Sequence, residues 1–320
     1  MNEYLGNEMQ LFSVKEARLV GGKQDNMRVL IVKNASGLEF TVSLDRCADI
    51  AELSVKGDNF AFIGPCGYVA PTYYDNKGAN FLKSFTAGFL TTCGLNNVGG
   101  NVNVDGVEYG LHGSIANTPC EKYCYFVENN EIHVKAVIRD ASLFNDKLLL
   151  EREYVCPINE NVIYLKDTVK NIGFNDTPVM ILYHCNMGYP LLSEDAKLNI
   201  PTNKVVARDA HAQTGIDNWN VIEKPQQDYQ EMCFFHEMNE ETPTVSLYNE
   251  KINKGVEITY NTKELPCFTQ WKMMGQGEYV LGLEPGTCNP DGRIEILKKG
   301  TYDNLGAGQS KNYNLKFKFI

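Results

Sequence analysis

The sequence has few histidines, few tryptophans, a shortage of basic residues and no long hydrophobic segment. Its 320 residues include five histidines and two tryptophans, and 30 Lys and Arg face 40 Asp and Glu, for a formal net charge of -10. The longest apolar stretches, such as residues 179–183, fall far short of the roughly 20 residues that a membrane-spanning helix needs. These shortages argue against a membrane protein and against nucleic acid as the main partner, since nucleic acid requires a basic surface.

Several familiar binding and catalytic motifs are also missing. No P-loop or dinucleotide-binding glycine fingerprint follows a predicted strand, and no GxSxG nucleophile elbow occurs. The pair Cys120 and Cys124 has no second pair at metal-ligand spacing. The sequence therefore predicts neither a metal site nor a cofactor. A serine or cysteine nucleophile stays open, although no particular residue is nominated for that role.

The N-terminal segment and the cysteines bear on the location of the protein. Residues 1–19 carry acidic side chains and no continuous apolar core, unlike a signal peptide. The ten cysteines are scattered along the chain and do not form the closely spaced framework of a small secreted domain. We therefore expect reduced thiols and a cytoplasmic protein.

The dominant pattern is an alternation of apolar and polar residues with a period of two, which is typical of half-buried β-strands. Residues 131–138 (EIHVKAVI) and 315–319 (LKFKF) show it clearly. No helix of three turns, internal repeat or low-complexity linker is found. The chain is therefore predicted to be all-β, with a single large antiparallel β-sandwich domain over residues 1–320.

Turn residues punctuate these predicted strands. Hairpin connections are predicted at residues 34–37 (NASG), 129–130 (NN) and 171–173 (NIG). Short helical turns are expected near residues 81–85 and 194–196.

Glu284 lies in a segment that joins a buried strand to a turn. Residues 279–283 are apolar on both faces, and Pro285 is expected to end the strand directly after the carboxylate. Because functional residues are often placed where a strand meets a loop, Glu284 is a candidate for chemistry. The alternative interpretation is structural, with Glu284 capping the turn or pairing with Arg293.

Two of the five histidines stand in comparable settings. His112 lies between Gly110 and Gly113, which let the backbone approach a bound molecule. His184 is expected at the end of an apolar strand, just before Asn186. Each of these two histidines could instead be a buried structural residue.

The other three histidines carry weaker indications. His133 is predicted on the solvated face of its strand, and His211 lies in a polar loop. His236 follows an apolar run, so it is predicted to be either a core residue or a ligand contact.

These residues resemble, in order and rough spacing, those of the galactose mutarotases, which are aldose 1-epimerases. The resemblance is carried by His112 in GLHGS, His184 in YHCNMGYP, residues 199–206 (NIPTNKVV) and Glu284 in LGLEPGT. Phrases such as LDRCADI, TAGFLTTCGL and GLEPGTCNPDGR, spread over residues 44–293, resemble an uncharacterised branch of that superfamily.

The resemblance implies a β-supersandwich with a sugar cleft and a mechanism that uses neither metal nor cofactor. It implies that Glu284 is the general base for the anomeric hydroxyl, that His184 is the general acid for the ring oxygen, and that His112 holds sugar hydroxyls. Opening of the ring, rotation of the aldehyde and reclosure would give the other anomer. The implied partner is a monosaccharide substrate, and a homodimer is left open.

The implied substrate contacts are matched less well. The mutarotase arginine has no counterpart in residues 86–97 (TAGFLTTCGLNN), so Arg46 becomes the candidate cation, with a structural pair to Asp45 or Asp49 as the alternative. The mutarotase aspartate also lacks a counterpart, and the region around His236 takes its place. Trp271 is a candidate for stacking on a sugar, with a core role as the alternative. The remaining candidate substrate contacts are Asn186, His236 and Gln270.

Two other functions compete with an aldose 1-epimerase. One is a non-catalytic carbohydrate-binding protein that uses the same cleft. The other is a hexose-phosphate epimerase of the same fold, which would need several cations around the cleft. Arg46, Lys272 and Arg293 are the candidates for those cations, but the acidic composition disfavours this function.

Overall fold

The computed structural model describes residues 3–320 and consists mainly of antiparallel β-strands, which confirms the predicted all-β class. The strands are β1 (Ser13–Arg18), β2 (Arg28–Lys33), β3 (Leu38–Ser43), β4 (Asp49–Val55), β5 (Asp58–Asn59), β6 (Leu90–Leu95), β7 (Val102–Val104), β8 (Val107–Tyr109), β9 (Cys120–Glu128), β10 (Glu131–Ala141), β11 (Lys147–Pro157), β12 (Val162–Asn171), β13 (Thr177–Met187), β14 (Ala196–Asn199), β15 (Thr202–Ala207), β16 (Met232–Met238), β17 (Thr244–Asn249), β18 (Lys254–Tyr260), β19 (Cys267–Met274), β20 (Tyr279–Gly286), β21 (Asp303–Leu305) and β22 (Ser310–Phe319).

Helices are short and few. The α-helices are α1 (Ala210–Gln213) and α2 (Arg293–Lys299), and the 3₁₀ turns are Glu8–Gln10, Gly22–Gln24, Pro71–Tyr73, Asn80–Lys83, Ile115–Asn117 and Ile216–Asn218. Within residues 3–320, no helix is both long and apolar enough to cross a bilayer.

Three large sheets and one small hairpin make up the fold. The first sheet has five strands in the order β1-β2-β3-β4-β5, and the second has eight in the order β14-β17-β18-β22-β12-β11-β10-β9. The third has seven strands, in the order β15-β16-β19-β20-β13-β21, with β6 also paired to β13. The hairpin joins β7 to β8. One hydrophobic cluster draws side chains from Leu30 to Phe319, and the single domain over residues 1–320 stays a prediction.

The predicted alternation and two of the three predicted hairpins are confirmed. In β10, Ile132 and Val134 point into the core while His133 and Lys135 do not. Hairpins occur at residues 34–37, between β2 and β3, and at residues 129–130, between β9 and β10.

The third hairpin prediction is wrong, because residues 171–173 carry the chain from the eight-stranded sheet into the seven-stranded sheet. A turn signal marks the end of a strand but does not reveal which strand pairs next. The helical turn expected near residues 81–85 is found at residues 80–83. Residues 194–195 instead form a turn that leads into β14, which begins at Ala196.

A buried arginine joins all three large sheets. Arg152 in β11 donates to Asp167 in β12 (Nε to Oδ1, 2.9 Å; Nη2 to Oδ2, 2.7 Å), to Thr92 in β6 (2.7 Å) and to Asp49 in β4. The hydroxyl of Tyr183 in β13 donates to the same Asp167 (2.9 Å). Because these carboxylates are buried, the arginine supplies the compensation that buried charges require.

The central strands β13 and β20 run past the positions where the sequence predicted their ends. Glu284 lies inside β20, opposite Thr269 of β19, and His184 lies inside β13. Pairing of β20 with β19 continues through Pro285 and Gly286, whereas its pairing with β13 skips residues 284 and 285. Proline lacks the N–H that a ladder needs, so it interrupts one of the two ladders and does not end the strand.

Candidate active site

The seven-stranded sheet carries the candidate site on one of its faces. Side chains alternate between the two faces of a strand, so residues two apart share a face. Glu284 and Gly282 in β20 therefore share the face of their cross-strand partners Thr269 and Trp271 in β19. His184 in β13 joins them, because it stands at the skipped pairing position beside Glu284.

These side chains open into a cavity of about 260 Å³. The lining residues with polar or charged groups include His112, His184, Arg208, Glu231, Trp271 and Glu284. Phe81, Leu82, Phe85, Leu111 and Pro290 give the rest of the wall a mainly apolar character. The cavity thus has the composition of a small-molecule site, with a few polar groups set in an apolar wall.

Glu284 and His184 form the centre of the cavity. The Nε2 atom of His184 lies 3.2 Å from Oε1 of Glu284, and the side chains are 7% and 2% exposed. Burial is the largest cause that raises the pKa of Glu284 well above its ordinary value, Glu231 raises it further, and Arg208 lowers it. Burial, aided by His112, lowers the pKa of His184 to about 3. These directions favour a proton on Glu284 and a neutral His184.

Two of the polar atoms in this centre have no hydrogen-bond partner among the described residues. They are Oε1 of Glu284 and Nδ1 of His184. The hydroxyl of Thr269, which also lines the cavity, is a third such group. Buried polar groups normally have a hydrogen-bond partner. Because these three groups have none among the described residues, they are free to bind the polar groups of a ligand.

Gly282 leaves the space that Glu284 occupies. A Cβ atom at this position would lie 2.3 Å from Oε1 of Glu284 and 2.9 Å from Cβ of Trp271. Any larger residue would therefore displace the carboxylate or the indole. This close approach explains why the first residue of the GLEPG segment, Gly282, is a glycine. No special turn conformation is needed to explain it.

His112 reaches the cavity from a strained loop. Its φ is +57°, and its Nδ1 accepts the N–H of Gly99 (3.3 Å). Because Nδ1 accepts, the neutral ring carries its proton on Nε2 and can donate it to a ligand. Burial lowers the pKa of His112 to about 4, so the ring is neutral near pH 7. Its centroid lies 5.8 Å from that of His184.

An aromatic wall stands beside the histidines. The ring centroid of Phe85 lies 5.5 Å from that of His184 and 6.5 Å from that of Trp271, and Phe81 lies 5.8 Å from His112. The indole N–H of Trp271 donates to Oε2 of Glu231 (2.7 Å). This hydrogen bond fixes the orientation of the indole plane, whose ring centroid lies 5.3 Å from that of His184.

The sequence interpretation missed Arg208 and Glu231. Arg208 follows β15 and donates to Oε1 of Glu231 (3.1 Å), to Oδ2 of Asp209 (2.8 Å) and to Sγ of Cys233 (3.0 Å). Pairing of β15 with β16 brings this cation to the cavity. The sequence feature that could have indicated Arg208 was its position, two residues after the mutarotase-like segment 199–206.

Three predicted substrate contacts do not line the cavity. His236 and Gln270 lie on the opposite face of the sheet, where Gln270 bonds both His236 (3.0 Å) and the backbone carbonyl of Trp219 (2.7 Å). Asn186 is fully buried, and its side-chain amide donates to the backbone carbonyls of Gly88 and His184. His236 and Gln270 therefore support the sheet from behind, whereas Asn186 shares the face of His184 but lies outside the cavity lining.

Arg46 also lies outside the cavity. It lines a separate small cavity and donates to Asn117 (2.8 Å) and to the carbonyl of Val69 (3.1 Å). The expected alternative, an ion pair with Asp45 or Asp49, is not formed either. Asp45 pairs with Arg28, and Asp49 pairs with Arg152.

The other cations proposed for a phosphate site are engaged elsewhere. Lys272 pairs with Glu223 (3.2 Å) on the face that points away from the cavity. Arg293 pairs with Asp146 (3.4 Å) and lies over the ring of Tyr109, so the alternative pairing of Arg293 with Glu284 is wrong. Over residues 3–320, no group of three or more His, Cys, Asp or Glu side chains is arranged to hold a metal ion.

Comparison with protein families gives one match. Residues 24–319 match the family model described as "Domain of unknown function (DUF4432)". No curated protein matches the sequence.

Comparison with solved structures gives many similar folds. A protein from Klebsiella pneumoniae subsp. pneumoniae, provisionally described as an aldose 1-epimerase, is 25% identical with a TM-score of 0.89, covering 97% of this chain and 83% of its own. A galactose mutarotase-like protein from Clostridium acetobutylicum is 14% identical with a TM-score of 0.68, covering 97% and 99%. Galactose 1-epimerase from Lactobacillus acidophilus NCFM is 14% identical with a TM-score of 0.63, with the same coverage. The last two show the fold alone.

Proposed function

The chain belongs to the DUF4432 family and to the galactose mutarotase-like superfamily, and we propose that it is an aldose 1-epimerase-type isomerase that interconverts the anomers of a monosaccharide. The observation that carries this proposal is the contact of Glu284 with His184, 3.2 Å apart in a cavity of about 260 Å³. One carboxyl and one imidazole at this distance can exchange a proton with each other and with a bound sugar.

The proposed reaction uses the two groups as a donor and acceptor couple. Transfer of the Glu284 proton to Nε2 of His184 gives a carboxylate and an imidazolium. The carboxylate removes the proton of the anomeric hydroxyl, the bond between the anomeric carbon and the ring oxygen breaks, and the imidazolium protonates that oxygen. The open-chain aldehyde rotates about its bond to the adjacent carbon, and the reverse steps close the ring as the other anomer.

His112 and Trp271 position the sugar in this proposal. Nε2–H of His112 donates to a sugar hydroxyl, since its Nδ1 already accepts the Gly99 N–H. The indole of Trp271 stacks on the carbon face of the ring, held in place by Glu231. Neither residue loses or gains a proton during the reaction.

The charges around the cavity favour a neutral sugar. Arg208 is the cation that lines it, and Arg208 is already bonded to Asp209 and Glu231. A phosphate group would have to displace these carboxylates and approach Glu284. This arrangement disfavours the hexose-phosphate alternative.

The proposed location is the cytoplasm. All ten cysteines are free thiols, and most of them are buried. Reduced thiols are typical of cytoplasmic proteins, which supports the expectation drawn from the sequence.

The reaction proposed for the site is carried out by protein side chains.

The test begins with a ligand screen and ends with anomer exchange. A panel of neutral aldoses, ketoses, deoxy sugars, sugar acids and sugar phosphates is first ranked by thermal shift, because a ligand stabilises the folded state by mass action. Exchange NMR of the best ligand then measures interconversion of its anomers. Wild-type protein should accelerate it, and Glu284→Gln should reduce kcat by roughly 10²- to 10⁴-fold, the usual range for a general acid or base.

The matched control is Glu278→Gln, which removes an exposed carboxylate just before β20. This variant should retain wild-type kcat. Full activity of Glu284→Gln on a sugar that binds would refute the mechanism. Saturable binding of a sugar without any acceleration by wild-type protein would instead identify a carbohydrate-binding protein.

A further inference from the structure

Strand β9 forms an open edge of the eight-stranded sheet. It pairs with β10 alone. Apart from that pairing, residues 121–128 make no backbone hydrogen bond within the described chain. An edge of this length displays a row of free N–H and C=O groups, which is a template for pairing with another strand.

The turn between β9 and β10 shows which backbone groups face outward. Asn129 and Asn130 have φ values of 51° and 62°, as expected for a two-residue type I′ turn, so Glu128 and Glu131 form the first hydrogen-bonded pair. Pairs alternate along an antiparallel ladder. Every second residue of β9, namely Tyr123, Tyr125 and Val127, therefore points its N–H and C=O away from β10.

The side chains along this edge are unusually apolar for an exposed strand. Tyr125, Phe126 and Val127 are 41%, 38% and 47% exposed. Natural edge strands are normally protected by charges, proline or a bulge along their exposed length. Here the bulge lies near Val137 and Ile138 of β10, at the other end of the ladder, and leaves these three residues unprotected.

The charges on β9 are complementary to those of a second copy of β9 that runs in the opposite direction. Lys122 and Glu128 have no ion pair among residues 3–320, in contrast to Glu121, which is bonded to Arg139 (2.7 Å). If two copies of β9 pair antiparallel with Tyr125 opposite Tyr125, Lys122 of each copy stands opposite Glu128 of the other. The outward-facing backbone groups of Tyr123 then meet those of Val127.

We propose that a second copy of this chain docks on β9, joining two eight-stranded sheets into one continuous sheet across a two-fold axis at Tyr125. The outward backbone groups supply the hydrogen bonds, the exposed aromatic and aliphatic side chains become covered, and the two Lys122–Glu128 pairs set the register. The interface lies in a different sheet from the candidate active site.

Charge reversal tests the register. Sedimentation velocity over a dilution series should show that wild-type protein dimerises and that Lys122→Glu weakens the dimer roughly ten-fold, because two facing pairs become repulsive. The double variant Lys122→Glu/Glu128→Lys should restore wild-type dimerisation, since the pairs are re-formed with their signs exchanged. A wild-type monomer, or a double variant as weak as Lys122→Glu, would overturn the proposal.

Proline substitution tests the backbone pairing. Tyr125→Pro removes an outward N–H that β10 does not use, so the variant should fold, as judged by circular dichroism, but remain monomeric. Tyr125→Ala, which keeps the N–H, is its matched control and should dimerise more strongly than Tyr125→Pro. Equal dimerisation of the two variants would show that β9 does not pair through its edge. A Cys124–Cys124 cross-link on mild oxidation would contradict the register, which places Cys124 opposite Phe126.

Discussion

Replacing Glu284 by glutamine should stabilise the protein, and the gain should grow with pH. Glu284 is 2% exposed, and burial, followed by the charge of Glu231, raises its pKa well above the ordinary value. In the unfolded chain, the same carboxyl has its ordinary pKa. The folded state therefore keeps a proton that the unfolded state has lost over the pH range between the two values.

The sign of the effect follows from this difference in bound protons. A raised carboxyl pKa contributes stability that is fully present below the unfolded pKa and is lost as pH rises through the folded pKa. Within that window, the free energy of unfolding falls by up to about 1.4 kcal/mol per pH unit. Glutamine has a similar shape and no titratable group, so Glu284→Gln lacks this loss. The buried histidines also make the free energy of unfolding depend on pH. This dependence is common to wild type and variant, so it largely cancels in the difference between their free energies of unfolding.

The assay is urea unfolding of both proteins at intervals from about pH 5 to about pH 8, followed by circular dichroism. The variant's advantage should be smallest at the acidic end and should increase steadily towards the alkaline end. Glu278→Gln, at an exposed position, should show no such trend. A constant difference between wild type and Glu284→Gln across the range would refute the raised pKa and, with it, the protonated Glu284 from which the proposed mechanism starts.

Three further perturbations have defined outcomes. Gly282→Ala would place a Cβ 2.3 Å from Oε1 of Glu284, so kcat/KM should fall roughly 10²-fold while circular dichroism stays unchanged, because small misplacements of reacting groups are costly. Burial and then the charge of Glu231 raise the pKa of Glu284. Glu231→Ala removes that charge, so the alkaline limb of the kcat/KM profile, where Glu284 loses the proton that it passes to His184, should move to lower pH, and KM should rise as the indole loses its acceptor. Arg152→Met leaves buried carboxylates unpaired and should cost about 3–5 kcal/mol in urea unfolding, whereas Arg139→Met, at an exposed pair, should leave the urea midpoint nearly unchanged.

The strand pattern could be predicted from sequence because a period of two records which face of a strand is buried. The alternation in residues 131–138 required no knowledge of neighbouring strands. The grouping of Glu284, His184 and His112 followed from resemblance to a family whose fold places such residues together. Neither source of information contains the sheet order, so the route of the chain at residues 171–173 could not be predicted.

The substrate contacts could not be predicted because they depend on which face of a strand meets the cavity. Gln270 and Trp271 are neighbours in β19, so they cannot point to the same side, yet both were assigned to the substrate. In the structure, Trp271 lines the cavity, whereas Gln270 lies on the opposite face of the sheet, next to His236. Arg208 reaches the cavity through pairing between β15 and β16, which no local pattern in the sequence reports.

The arginine that joins the three sheets also links the reacting groups to the overall stability of the molecule. Tyr183, whose hydroxyl is anchored to Asp167, directly precedes His184 in the chain, so one strand holds the anchor on one face and the imidazole on the other. We expect the sheets to exchange their amide hydrogens as one cooperative unit, with little local opening near the site. Substitutions at Arg152, which does not line the cavity, should therefore increase the positional fluctuation of His184 and impair turnover before they unfold the protein.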